Sequence, residues 1–154
     1  RPTEKAIPVM VGQADDVDKV AAFIPPVAQQ LMETFWPGAL TLILPKLSLV
    51  SDVVSRHDTI AVRMPDHTWL LNMLRASGPL AVTSANRSGE QNSVKGSDVL
   101  VALRGKIDLL IDGGDAPCAL PSTIVNCTCN PPEILRTGPI SKSRIHDDLG
   151  YQHC

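Results

Sequence analysis

Short apolar runs alternate along this chain with stretches of helical periodicity, which restricts the fold to an α/β or α+β arrangement around a mixed sheet. Strand signals fall at Ile7–Val11, Ala39–Leu44, Thr59–Arg63, Leu80–Thr83, Ile107–Ile111, Ser122–Cys127 and Glu133–Arg136. Between them lie helical patterns. The first, Ala14–Phe23, opens with carboxylates suited to a helix N-terminus. The second runs over Val27–Met32 behind Pro25-Pro26, proline being tolerated at the first helical position. Asp66 is placed to cap a helix over His67–Arg75, and Ser97-Asp98 to cap Val99–Arg104, with Gly105 ending it. Ser141 is placed to cap a last short helix before a polar tail that holds His146 and His153. No repeat, linker or low-complexity tract interrupts the pattern, so one compact domain is expected.

Size and charge narrow the class further. A chain of 154 residues with 44% apolar and 19% charged side chains can bury its own core without a disulfide or metal staple. Disordered chains are poorer in apolar residues and carry more net charge. Fourteen Lys and Arg against sixteen Asp and Glu leave a formal −2, which excludes a polyelectrolyte nucleic-acid binder but permits a local basic face. No apolar run approaches the ~20 residues that a membrane helix needs, so no membrane partner is expected. The chain begins at Arg1-Pro2 with neither Met nor a signal-peptide pattern, and it reads as a piece of a longer, cytoplasmic protein. Cys118, Cys127, Cys129 and Cys154 lack the paired spacing of a zinc site, so they are expected to be small, partly buried thiols in a reducing compartment, with no metal.

The polar residues that could carry chemistry concentrate where strands end, the usual ligand edge of an open α/β sheet. The strand at Leu80 runs into Thr83-Ser84-Ala85-Asn86-Arg87-Ser88-Gly89, a set of hydroxyls, an amide and backbone N–H groups able to receive a phosphate or carboxylate. The same residues also make an ordinary Ser/Asn turn. Arg63 and Arg136 each end an apolar strand; singly either marks a strand reaching water, and together they suggest an anion clamp. Pro121-Ser122-Thr123 supplies two more hydroxyls. Phe35-Trp36-Pro37-Gly38 suits packing, and its Pro-Gly turn could present Thr41 to a ligand. There is no nucleophile–base triad, no P-loop and no GxGxxG fingerprint, so no catalytic residue is assigned.

Taken in order, six segments resemble the YrdC/Sua5 family of threonylcarbamoyl-AMP synthases. They are Phe35-Trp36-Pro37-Gly38-Ala39-Leu40-Thr41, Val62-Arg63-Met64-Pro65-Asp66-His67, Thr83 to Gly89, Asp112-Gly113-Gly114, Ser122-Thr123-Ile124-Val125 and Leu135-Arg136-Thr137-Gly138. The resemblance implies a YrdC-like domain over residues 1–140, incomplete at its N-terminus, followed by a short helix and tail over 141–154. It implies a twisted mixed β-sheet flanked by helices, with a concave, positively lined cavity.

It also implies a reaction in which L-threonine, bicarbonate and ATP with Mg²⁺ give threonylcarbamoyl-adenylate and pyrophosphate. The product would feed t6A modification of tRNA, with tRNA-modifying proteins downstream and double-stranded RNA or tRNA as a further partner. Carried over by motif, Arg1, Ser84, Asn86 and Arg136 would bind ATP. Thr41, Arg63, Thr83 and Ser122 would hold the threonine substrate or neighbouring nucleotide groups.

The family's upstream Pro-Thr-x-Thr-x-Tyr-Gly-Leu segment is not in this chain, Pro121 stands where many relatives have Glu, and Asn126 where many have Asp. Two other readings remain. One is a carbamoyl-transfer domain of the hydrogenase-maturation type. The other is a non-catalytic RNA-binding module using Arg63, Arg87, Lys95 and Arg136.

Overall fold

The computed structural model describes residues 6–86, 90, 93–116 and 120–151. In chain order the elements are β1 (Val9–Met10), a 3₁₀ turn over Ala14–Lys19, α1 (Pro26–Phe35), β2 (Leu40–Pro45), β3 (Thr59–Arg63), α2 (Thr68–Ser77) and β4 (Leu80–Ala81). Then follow α3 (Gly96–Leu103), β5 (Thr123–Asn126), β6 (Glu133–Arg136) and α4 (Lys142–Asp148). The chain divides into two compact units. One is Thr83–Leu120; the other joins Pro2–Val82 to Pro121–Cys154.

The larger unit holds a six-stranded mixed sheet in the order β4-β1-β3-β2-β5-β6. β1 runs parallel to β3 and β2 parallel to β5, while β1–β4, β2–β3 and β5–β6 are antiparallel. Alternation sets its faces. Leu40, Leu42 and Leu44 of β2, Ile60 and Val62 of β3, and Val125 of β5 are all buried in one core. Helix α1 adds Ala28, Leu31, Met32 and Phe35, a spacing of three and four residues that lines one helix face. Helix α4 adds Ile145, and its Arg144 guanidinium lies 5.5 Å from the centre of the Phe35 ring.

Several local expectations change. The helix expected over Ala14–Phe23 is only the 3₁₀ turn, because the residues after it are claimed by the end of β2: Ala22 N donates to Pro45 O, and Leu47 N to Val20 O. Within the turn, Asp16 is buried and takes an ion pair from Lys19 at 2.7 Å. His67, rather than Asp66, caps α2 by accepting from Leu70 N at 3.3 Å. Lys95, rather than Ser97-Asp98, sits at the N-cap of α3. Ile107–Ile111 forms no strand, since no partner ladder meets it among the described residues and an unpaired strand leaves its backbone bonds unmade. His146 is not in a tail. It lies in α4, with its ring 6.0 Å from Tyr151 in an edge-on arrangement.

Candidate functional site

The face of the sheet opposite the core collects the polar residues. In β2 the core positions are Leu40, Leu42 and Leu44, so Thr41 must point the other way. In β3, Arg63 opposes the core face set by Ile60 and Val62. β6 needs a further device. Its pairing runs Asn126 with Glu133, Val125 with Ile134, then Ile124 with Arg136, a β-bulge that leaves Leu135 unpaired. Strict alternation would put Ile134 and Arg136 on one face. The bulge instead lets Ile134 pack against the core while Arg136 joins the face of Thr41 and Arg63.

Both guanidiniums are held by main-chain oxygens. Arg63 Nε donates to Gly38 O at 2.8 Å, and Gly38 N donates to Met64 O at 2.9 Å, so the Pro37-Gly38 turn and the end of β3 lock each other. Arg136 Nε donates to Ser122 O at 2.9 Å, and its Nη2 reaches Ser122 Oγ at 3.3 Å. Each arginine keeps further N–H donors for a ligand. Burial lowers the pKa of both, and the charge of Arg136 lowers that of Arg63 further, which places two like charges near each other. Both remain cations at neutral pH. Among the described residues the ion pairs are Lys19–Asp16 and Lys46–Asp52, so neither arginine has a carboxylate partner. Two neighbouring, partly desolvated cations without a counter-ion favour an anion.

Beside them, Thr41 Oγ1 and Ser122 Oγ lie 2.7 Å apart, both residues buried. Thr123, expected to offer a second hydroxyl to the site, is instead wholly buried. Its Oγ1 donates to Ile140 O at 2.6 Å and accepts from Gly138 N at 2.9 Å and Ile140 N at 3.2 Å. It pins the turn that follows Arg136. A side chain at position 138 would run into the Pro121 carbonyl and Thr123 N, so glycine is required there by close approach.

The structure therefore brings Thr41, Arg63, Ser122 and Arg136 together in the larger unit. Thr83, Ser84 and Asn86 belong to the other unit; Thr83 and Ser84 are exposed, and Asn86 Nδ2 donates to Glu90 O at 2.7 Å. Arg1 and Arg87 lie outside the described residues, as do Ser88, Gly89, Cys118, His153 and Cys154. The anchoring carbonyls of Gly38 and Ser122 were beyond sequence reasoning, because a carbonyl oxygen has no residue signature.

Among the described residues no group of three or more His, Cys, Asp or Glu could hold a metal ion, and no helix is long and apolar enough to cross a membrane. A cavity of about 500 Å³ lined in part by Asp15, Asp18, Glu33 and Trp36 has the wrong charge for a phosphate.

The family model Sua5_yciO_yrdC, described as telomere recombination, matches residues 1–138. The chain belongs to the Sua5/YciO/YrdC family. Threonylcarbamoyl-AMP synthase of Bacillus subtilis is 37% identical over 99% of this chain and 45% of its own length. The crystal structure of Pyrococcus abyssi Sua5 complexed with L-threonine superposes with a TM-score of 0.92, at 36% identity, over 97% of this chain and 45% of that one. Escherichia coli YciO shares the fold with a TM-score of 0.82 at 24% identity, over 94% of this chain and 71% of that one. The expected mixed sheet with flanking helices is thus the Sua5/YrdC fold. The chain spans less than half the length of the Bacillus and Pyrococcus relatives.

Proposed function

We propose that this chain contributes the substrate-binding domain of a threonylcarbamoyl-AMP synthase. The observation that carries the reading is the pair of neighbouring, carbonyl-anchored guanidiniums Arg63 and Arg136, the second also bonded to the Ser122 hydroxyl, with no carboxylate partner among the described residues. The family relationship supports it, and the Pyrococcus relative was crystallised with L-threonine.

In this reading the threonine amine and bicarbonate first form a carbamate with loss of water. A carbamate oxygen then attacks the α-phosphorus of ATP; the new P–O bond replaces the bond to the β-phosphate oxygen, and pyrophosphate leaves. Such a step needs positioned reactants and neutralised charge more than a strong protein nucleophile. Arg136 contributes fixed positive charge towards the nucleotide, while Arg63 and Ser122 hold the amino acid or its carbamate. Thr83 is assigned to threonine, and Ser84, Asn86 and Arg1 to ATP, by motif alone. Mg²⁺ enters as part of the ATP substrate. The product would supply the threonylcarbamoyl group to tRNA-modifying proteins in the cytoplasm.

Pyrophosphate release from ATP by the full-length gene product is the test. Release that depends on both L-threonine and bicarbonate is expected. Release independent of threonine overturns the reading, and salt-sensitive tRNA binding without any turnover replaces it with an RNA-binding role.

A further inference from the structure

The Thr41–Ser122 pair contains more protons than the protein accepts. Each hydroxyl carries one, and a single hydrogen bond between the two oxygens, 2.7 Å apart, uses one of them. Neither residue has another hydroxyl-proton acceptor among the described residues. Ser122 Oγ also receives Arg136 Nη2 at 3.3 Å. Two arrangements are possible. If Ser122 donates to Thr41, the unused proton belongs to Thr41. If Thr41 donates to Ser122, the two acceptor positions of Ser122 Oγ are filled by Thr41 and Arg136, and the unused proton belongs to Ser122.

Location decides between them. Both residues are buried, Thr41 4% and Ser122 7% exposed, so an unused proton on either must be met by a ligand atom rather than by bulk water, and what separates them is which hydroxyl touches an exposed cation. Ser122, just before β5, is the one bonded directly to the exposed Arg136 side chain, whereas no cation is bonded to the Thr41 hydroxyl. A ligand oxygen on the free N–H groups of Arg136 can also take the Ser122 proton.

We infer that Thr41 is a positioning residue that donates to Ser122 and thereby presents the Ser122 hydroxyl as a dedicated hydrogen-bond donor to an anionic ligand oxygen. Thr41 then acts through Ser122 and does not itself touch substrate. The device selects for a carboxylate, carbamate or phosphate oxygen and against an ammonium or any other donor at that point. The inference rests on the anion-binding reading above.

The test titrates the full-length protein with L-threonine and, separately, with ATP by calorimetry, using wild type, T41V, T41S, S122A and T41V/S122A. T41V should weaken at least one of the two ligands by about 5- to 10-fold, the effect of one lost net hydrogen bond. T41S should restore it, and T41V should add nothing once Ser122 is alanine. Wild-type affinity for both ligands in T41V overturns the inference, as does a T41V loss that persists in the S122A background. In the unaltered protein, NMR should find the Thr41 hydroxyl proton slow to exchange, and that of Ser122 fast until ligand is added. The reverse pattern overturns the inference without any variant. Binding of neither ligand by wild type overturns the anion-site reading itself.

Discussion

Replacing Thr123 by valine tests whether one buried hydroxyl holds the turn behind Arg136. The exchange keeps side-chain size and shape but removes an oxygen that makes three hydrogen bonds: to Ile140 O at 2.6 Å, from Gly138 N at 2.9 Å and from Ile140 N at 3.2 Å. The two Ile140 groups are buried, so T123V leaves a donor and an acceptor there without partners. Each costs about 1–3 kcal/mol, and a total near 4 kcal/mol is expected. T123S keeps all three bonds and loses one buried methyl, at about 1 kcal/mol.

Urea unfolding followed by tryptophan fluorescence separates the two outcomes, because Trp36 and Trp69 both lie in the same unit as Thr123. With a slope of about 2 kcal/mol per molar, T123V should lower the midpoint by about 2 M and T123S by about 0.5 M. Equal midpoints for T123V and T123S would refute the hub.

Removing Arg136 should weaken ATP binding by about 10- to 100-fold, the worth of a charge-assisted contact, while melting temperature changes little. R136K should recover only part of the loss, because an ammonium cannot bridge Ser122 O and Ser122 Oγ as the guanidinium does; unchanged nucleotide affinity in R136A would count against the clamp. The two described cysteines should differ in reactivity. Burial, with a smaller contribution from Cys129, pushes the Cys127 thiol up to about 12, so it stays protonated and inert at pH 8, whereas Cys129 is exposed. Peptide mapping after iodoacetamide treatment should find Cys129 alkylated and Cys127 labelled only after unfolding; prompt labelling of Cys127 in the native protein would contradict its burial.

Much of this protein follows from local chemistry and is legible in the sequence. The apolar pattern sufficed for β3 and β6, whose expected limits match the structure, because their alternation or termini are set within a few residues. Ser141 caps α4 as its position suggests, accepting from Arg144 N at 3.3 Å, since an N-cap needs only the next three residues. The six ordered motifs suffice for the family, and Arg63, Ser122 and Arg136 stand out in the sequence as polar groups at strand ends.

Tertiary structure decided the rest, and the reason each time is that the deciding partner is distant in sequence. Ile107–Ile111 has the composition of a strand, but a strand exists only where a ladder receives it. Ala14–Phe23 has helical carboxylates, but its end is hydrogen-bonded to Pro45 and Leu47 instead. Period-two reasoning puts Ile134 and Arg136 together. Only the register of β5 against β6, with Leu135 bulged out, turns Arg136 towards Thr41 and Arg63. The sequence by itself named the cations and hydroxyls. Register and two main-chain carbonyls gathered the two cations and their neighbouring hydroxyls on one surface, because strand pairing and hydrogen-bond geometry are properties of chain segments meeting across space.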